Sequence, residues 1–313
     1  MRRIKELSII SIVAVFLGCF VCRADMNYSN DRNSGYIVLA EEDIPSYEGV
    51  FHFTSTQGLL SFDEKKNACS PNENTVLSSD NTYISTEEKD AYGSHILIAH
   101  VLIRDPSQIN TEFSNGVFGG KGERPTDVAK RTGAVLVING SYFNYGTGQA
   151  LTEVAPVILH DNEIYRSGIA NGSEICIRFD GSLFSPHPVM GFSAEDMYNL
   201  GVVSNIGTAD PLLIQDGNLQ SYPPGVTDGT YPRAAIGMVS PGEYYFLVAG
   251  SGEYQGGMSY MDMQGVFYAL GCTYARSMDG GGSAAMVING ELLTDPAGET
   301  EREVADFICI WDR

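Results

Sequence analysis

Residues 274–290 read Tyr-Ala-Arg-Ser-Met-Asp-Gly-Gly-Gly-Ser-Ala-Ala-Met-Val-Ile-Asn-Gly, so that Asp279 stands directly before Gly280, Gly281, Gly282 and Ser283. Three consecutive glycines forfeit side-chain packing and cost conformational entropy. A chain that keeps them needs unusual backbone angles or close approach by another group. Such a bend presents N–H groups to an anion, with the Asp279 carboxylate at the strand end beside them. The alternative is a tight glycine turn in which Asp279 bonds the local backbone. No Gly-Lys-Ser or Gly-Lys-Thr follows, so this is not a Walker loop, nor is it a dinucleotide fingerprint.

Two further stretches carry polar groups at strand ends. Asn139, Gly140 and Tyr142 lie in Val-Ile-Asn-Gly-Ser-Tyr-Phe-Asn at residues 137–144, where an apolar strand gives way to an amide and two aromatics. An aromatic face stacks on a pyranose and an amide reads hydroxyls; an ordinary turn with core aromatics is the alternative. Arg233, in Tyr-Pro-Arg-Ala-Ala-Ile-Gly, precedes an apolar strand in a chain poor in cations. Its guanidinium could grip a phosphate or carboxylate bidentately, or form a structural ion pair. Arg302 sits in a charge run that solvation alone explains. Asp262 and Glu153 are further carboxylates, with helix capping or surface placement as the competing reading. The histidines show no spacing of a metal helix or a triad, and no Gly-x-Ser-x-Gly elbow occurs.

The elements that must position these groups are mostly strands. Residues 95–103 and 134–138 are short, β-branched apolar runs of the kind that form buried strands. Asp161-Asn162, Asp180-Gly181, Asp216-Gly217, Pro241-Gly242 and Asn289-Gly290 sit between apolar segments and supply the positive φ angles of tight hairpins. One short helix is predicted over 126–131, stopped by Gly133. A better one begins at Ser259, has Asp262 three residues on, and stops at Gly271. Strands with interspersed helices predict an α+β fold with a largely antiparallel sheet core. Residues 25–92, polar and turn-rich apart from a candidate strand at 49–54, read as a partly ordered N-terminal appendage to a domain at 93–313.

Composition narrows the setting. The chain has 313 residues, 43% hydrophobic and 19% charged, with 35 glycines and 13 prolines, which excludes disorder, collagen-like repeats and long coiled coils. Its net charge of −20, with no cluster of Lys and Arg, makes nucleic acid an unfavourable partner. Residues 1–24 run basic, apolar and then small, the order of a secretory signal, and imply an exported protein: periplasmic, cell-surface or secreted. No later apolar run is long enough for a transmembrane helix. Cys19, after Leu17-Gly18, makes lipid attachment the alternative, although Phe16 stands where a lipoprotein signal carries Leu. Cys69, Cys176, Cys272 and Cys309 remain beyond the signal and could pair in three ways.

Taken together in order, these segments resemble the phosphodiester glycosidase family. The resemblance is carried by residues 138–143, 177–183, 213–217 and 233–237, the helix at 257–270, Asp279 to Ser283, and Arg302-Glu-Val, and it covers about residues 94–313. Here Ser277-Met278 replace the family's usual Asn-Leu before the aspartate, Ser141-Tyr142 replace Gly-Phe, and Asp262 stands where Glu is common. These departures bear on which sugar is bound. The resemblance implies a hydrolase that cleaves a sugar, N-acetylglucosamine among the candidates, from a phosphodiester at the anomeric C–O bond. Asp279 would be base or nucleophile, with Asp262 and then Glu153 as second carboxylates. Arg233 and the amides of Gly280, Gly281 and Gly282 would hold phosphate, Asn139 and Tyr142 the sugar, with Gly140, Ser283 and Arg302 lining the site. No cofactor is required, with a divalent cation the alternative. The substrate expected from the setting is a phosphorylated glycan of the cell envelope or an exopolysaccharide. Metal-assisted attack at phosphorus and a non-catalytic phosphoglycan-binding module are the competing readings.

Overall fold

A computed structural model describes residues 60–69, 72–144, 154–222, 230–250, 256–294 and 301–313. The export signal expected at 1–24, the candidate strand at 49–54 and Glu153 lie outside the described residues. Every strand pairing among the described residues is antiparallel, and helices are few, as an α+β fold requires. The largest sheet runs Thr75–Ser78, Thr82–Ala91, Ser94–Ile103, Glu243–Ala249, Arg233–Ser240, Tyr274–Ser277, Leu212–Gln215 and Asn218–Leu219. A second sheet runs Glu291–Leu292, Met286–Ile288, Leu136–Asn139, Asp306–Ile310 and Ile109–Phe113. Val202–Gly207, Glu174–Arg178 and Leu183–Phe184 form a third, and Ile158–His160 with Glu163–Arg166 a hairpin.

The main core lies between these sheets. Leu97, Ala99, Val101, Ile236 and Phe246 of the largest sheet meet Ile138, Met286 and Ile308 of the second and Ile177 of the third. The opposite face of the largest sheet, with Ile96, Ile98, Ala235 and Leu247, is covered by Met263, Val266 and Phe267 of the helix Tyr260–Ala269. The helix Pro125–Thr132 covers the outer face of the second sheet, setting Val128 and Ala129 against Val137, Val287 and Phe307. Burial on both faces is why Ser94–Ile103 reads as an unbroken apolar run rather than an alternating one. Gly237 allows the covering helix its close approach: a Cβ there would stand 2.5 Å from Phe267 and 2.8 Å from the Cys272 Sγ.

The five dipeptides read as turns each join paired strands. Asp161-Asn162, Asp216-Gly217 and Asn289-Gly290 have both φ angles positive, and Gly181 and Gly242 supply the positive φ of the other two. Both predicted helices form, with Ser259 as N-cap of one and Gly133 in the left-handed region at the end of the other. The appendage reading is corrected in part. Thr82–Ala91 pairs along its whole length with Ser94–Ile103 through a Tyr92-Gly93 turn, so the boundary set at 92/93 falls inside a hairpin. The helix Phe62–Ala68, which the sequence reading missed, docks through buried Lys65. Its Nζ lies 3.0 Å from Glu243, which also bonds His100 at 3.1 Å.

The four described cysteines are free and buried, each in a different apolar cluster, so none of the three pairings forms in this structure. Burial pushes the Cys69 thiol up to about 11 and the other three well above their ordinary value. No helix among the described residues is long and apolar enough to cross a membrane.

Candidate active site

The strands Leu136–Asn139 and Tyr274–Ser277 deliver their ends to one place, where the glycine bend begins. Asn139 is fully buried there: its Nδ2 donates to the Asp279 carbonyl at 2.6 Å and its Oδ1 accepts from the Ala285 amide at 3.1 Å. Both ends of the amide are therefore engaged in clamping the bend. The expectation that Asn139 reads sugar hydroxyls gives way to a structural role. Gly140 accepts the Asp279 N–H at 3.3 Å, and a Cβ on it would stand 2.4 Å from an Asp306 carboxylate oxygen. Asp306 is itself buried, accepts from the Ser141 amide and hydroxyl at 2.6 and 2.7 Å, and is pushed by burial to a pKa of about 6.

Gly281 lies at φ +58 and donates to the Pro232 carbonyl at 2.8 Å, while the Ser283 amide donates to Gly280. The bend thus presents fewer open amides than its three glycines suggest, since that of Gly281 is already engaged. Gly280 packs on the Pro232 carbonyl, and Gly282 lies under the Arg302 guanidinium, where a Cβ would be 2.4 Å from a nitrogen. Arg302 also donates to the Ser283 hydroxyl at 3.3 Å. The residue that a charge run would explain is therefore the exposed cation lying on the glycine bend.

Asp279 is half-buried at the mouth of this bend. Burial raises its pKa from 3.8 to about 6; the Ser283 hydroxyl and Arg302 oppose the rise, while Asp210 and Asp306 add to it. A carboxyl with that value changes charge just below neutral pH and is ionised above it, a state in which it can act as base or nucleophile.

Asp210 was not singled out by the sequence. Its Oδ1 accepts from Tyr260 at 2.6 Å and Tyr142 at 2.9 Å; its Oδ2 accepts from Ser277 at 2.9 Å and Arg233 at 3.4 Å. Arg233 is buried, donates to the Tyr260 hydroxyl at 2.6 Å and the Met258 carbonyl at 3.3 Å, and lies 3.9 Å from the Tyr260 ring centre. The ion-pair reading of Arg233 is the one this geometry embodies. Tyr142 is half-buried, its hydroxyl tied down and its pKa driven up by burial and by Asp210. Asp262 takes its place in the helix cap, accepting from the Ser259 hydroxyl at 2.6 Å, while its neighbour Tyr260 reaches Asp210. Among the described residues no three His, Cys, Asp or Glu side chains converge to hold a metal ion.

A buried polar wall and a half-open acid, flanked by a glycine bend carrying a cation, are thus assembled from segments spread over the whole domain. The family model described as phosphodiester glycosidase matches residues 132–311, which contain every residue of that site. This chain belongs to the phosphodiester glycosidase family. Among curated relatives, mouse N-acetylglucosamine-1-phosphodiester alpha-N-acetylglucosaminidase is 24% identical over 259 residues, covering 73% of this chain and 47% of the mouse protein. An uncharacterized SPbeta prophage-derived protein of Bacillus subtilis, YomE, is 26% identical over 195 residues, covering 60% of this chain and 29% of its own. The chain therefore spans less than half the length of these curated relatives.

Among solved structures, the zebrafish N-acetylglucosamine-1-phosphodiester alpha-N-acetylglucosaminidase catalytic domain, auto-inhibited by its pro-peptide, superposes with a TM-score of 0.60 at 21% identity. That match covers 77% of this chain and 86% of the zebrafish chain. A hypothetical protein from Synechocystis gives a TM-score of 0.56 at 14% identity, covering 79% and 65% of the two chains. Both share the fold of this phosphodiester glycosidase domain.

Proposed function

We propose that this chain hydrolyses a glycosyl phosphodiester at the anomeric C–O bond, releasing a sugar, with N-acetylglucosamine the first to test, and a phosphate monoester. The observation that carries the reading is Asp279, a half-buried carboxyl with a pKa of about 6 set beside a glycine bend on which the Arg302 guanidinium lies. The leaving group is a phosphate monoester whose conjugate acid has a pKa near ~6, so it departs with little help from a general acid. What the reaction needs is an anion facing the oxocarbenium charge at the anomeric carbon and a cation for the departing phosphate. Ionised Asp279 fills the first role. It either removes a proton from the water that attacks the anomeric carbon or attacks that carbon itself; as the new bond forms, the C–O bond to phosphate breaks and its electron pair leaves on the phosphate oxygen. In the second case water then attacks the anomeric carbon of the glycosyl ester, freeing the sugar and regenerating the Asp279 carboxylate. Arg302, with Ser283, fills the second. Arg233, engaged by Asp210, backs the site instead, and Tyr142 offers the sugar a ring face.

Action outside the cytoplasm on envelope or exopolysaccharide glycan is part of this proposal, resting on the order of basic, apolar and small residues in 1–24. The deciding experiment is hydrolysis of α-glycosyl phosphodiesters in ¹⁸O-labelled water, with and without chelator. Label in the sugar supports the proposal. Label in phosphate, lost on chelation, assigns attack at phosphorus with a divalent cation; saturable binding without release assigns a silent glycan-binding module.

A further inference from the structure

Asp210 receives four donors on one carboxylate, from the strand end that carries Tyr142, the first turn of the helix Tyr260–Ala269, the strand ending at Ser277, and Arg233 at the start of its strand. A carboxylate has about four lone-pair directions, and only its ionised form accepts in all of them. Its own backbone is pinned as well: the Asp210 amide donates to the Thr208 hydroxyl at 3.1 Å, and the buried Arg276 donates to the Asp210 carbonyl at 3.1 Å. Such a saturated group has no lone pair left for substrate. It can act only through the groups it holds.

We propose that Asp210 is a positioning residue of this site, whose carboxylate fixes the Tyr142 ring against the sugar and sets a fixed negative charge near Asp279. The proposal rests on the glycosidase reading. Its physical content is twofold. Tyr142 is half-buried just beyond the end of the strand Leu136–Asn139, and without its tether the ring gains side-chain torsional freedom, so a sugar stacked on it loses its alignment with Asp279. Asp210 is also one of the charges acting on Asp279. The groups that act on Asp279 are the Ser283 hydroxyl, Arg302, Asp210 and Asp306, and Asp279 in turn acts on the Tyr142 hydroxyl. Asparagine at 210 removes one of the negative charges that act on Asp279, and this favours the ionised form of Asp279. The pH at which Asp279 takes up its proton must therefore fall.

The test measures kcat and KM against pH for an α-glycosyl phosphodiester with the full chain, Asp210→Asn and Tyr142→Phe, each checked for folding by its thermal melt. Asp210→Asn is expected to lose on the order of 10-fold or more in kcat/KM and to shift the acid limb to lower pH by on the order of half a pH unit. Tyr142→Phe, which cuts one tether and leaves every charge in place, is expected to raise KM several-fold with the limb unmoved. A folded Asp210→Asn whose limb stays where it was overturns the proposal even if its activity falls, because a merely structural loss moves no limb. If Asp210→Asn does not fold, normal kinetic constants in Tyr142→Phe overturn the proposal and the raised KM supports it. If the full chain cleaves no glycosyl phosphodiester, the glycosidase reading fails and takes this proposal with it, an outcome distinct from cleavage with unchanged variants.

Discussion

Replacing Asp306 by asparagine keeps the shape of the side chain, removes its charge and turns one of the two oxygens that accept from Ser141 into an amide donor, a cost that does not vary with pH. In the folded chain this carboxyl is buried behind Gly140, and burial pushes its pKa from 3.8 to about 6 against the pull of the Ser141 amide and hydroxyl. Between those values the folded state holds a proton that the unfolded chain has already lost. Stability therefore falls as pH rises through this window, and the carboxyl's contribution is fully present only below the unfolded value. At about 1.36 kcal/mol per pH unit the loss reaches about 3 kcal/mol, complete above pH ~7. Asp306→Asn has no proton to lose. Measured against the native chain, its unfolding free energy should improve by up to about 3 kcal/mol between pH ~4 and pH ~7.5. Urea unfolding at the two pH values gives both differences; acid effects elsewhere in the chain cancel in the comparison, except that of Asp279, whose raised pKa Asp306 supports and whose change acts in the same direction. An offset between variant and native chain that is the same at both values refutes the buried-charge argument.

Three other outcomes are open to direct measurement. For the native chain, kcat/KM on a glycosyl phosphodiester should rise with pH through about 6 as Asp279 ionises, and Asp279→Asn should cost on the order of 10²–10⁴-fold in kcat; a flat profile across this range speaks against the assignment. Removing the Arg302 guanidinium, one of the groups that lower the Asp279 pKa, should move that midpoint upward and raise KM on the order of 10-fold, which steady-state kinetics of Arg302→Ala across pH will show. Gly237→Ala would set a Cβ 2.5 Å from Phe267 and force the covering helix outward. Denaturant titration should register a loss of about 1–3 kcal/mol, and an unchanged midpoint would mean that the helix yields at no cost.

Much of the framework was legible in the linear chain because it depends on local rules. The positive φ angles of Asp216-Gly217 and Asn289-Gly290, the Ser259 cap and the left-handed stop at Gly133 are properties of residue types within a few positions of one another. Asp279 and its glycines were legible for the same reason: three residues that forgo side chains announce close backbone approach before any partner is known. The Tyr92-Gly93 hairpin escaped because its first turn residue is a tyrosine, not an Asx, and the strand it closes is rich in charge.

What tertiary structure alone decided is which residues share the candidate site and which partners each has there. Thr-Ala-Asp-Pro at 208–211 looks like any polar turn, yet Asp210 meets partners 68, 50, 67 and 23 positions away. Arg302 looks solvated until Gly282 is placed beneath it, and Arg233, equally fit for phosphate or carboxylate by its chemistry, has its partner chosen by the fold. The physical reason is that hydrogen-bond convergence depends on strand order. Arg233–Ser240 lies between Glu243–Ala249 and Tyr274–Ser277, and that placement follows from pairing across the whole domain. Residue types and spacing state which chemistry a chain can perform; the sheet order settles which acid faces the open bend and which is locked behind it.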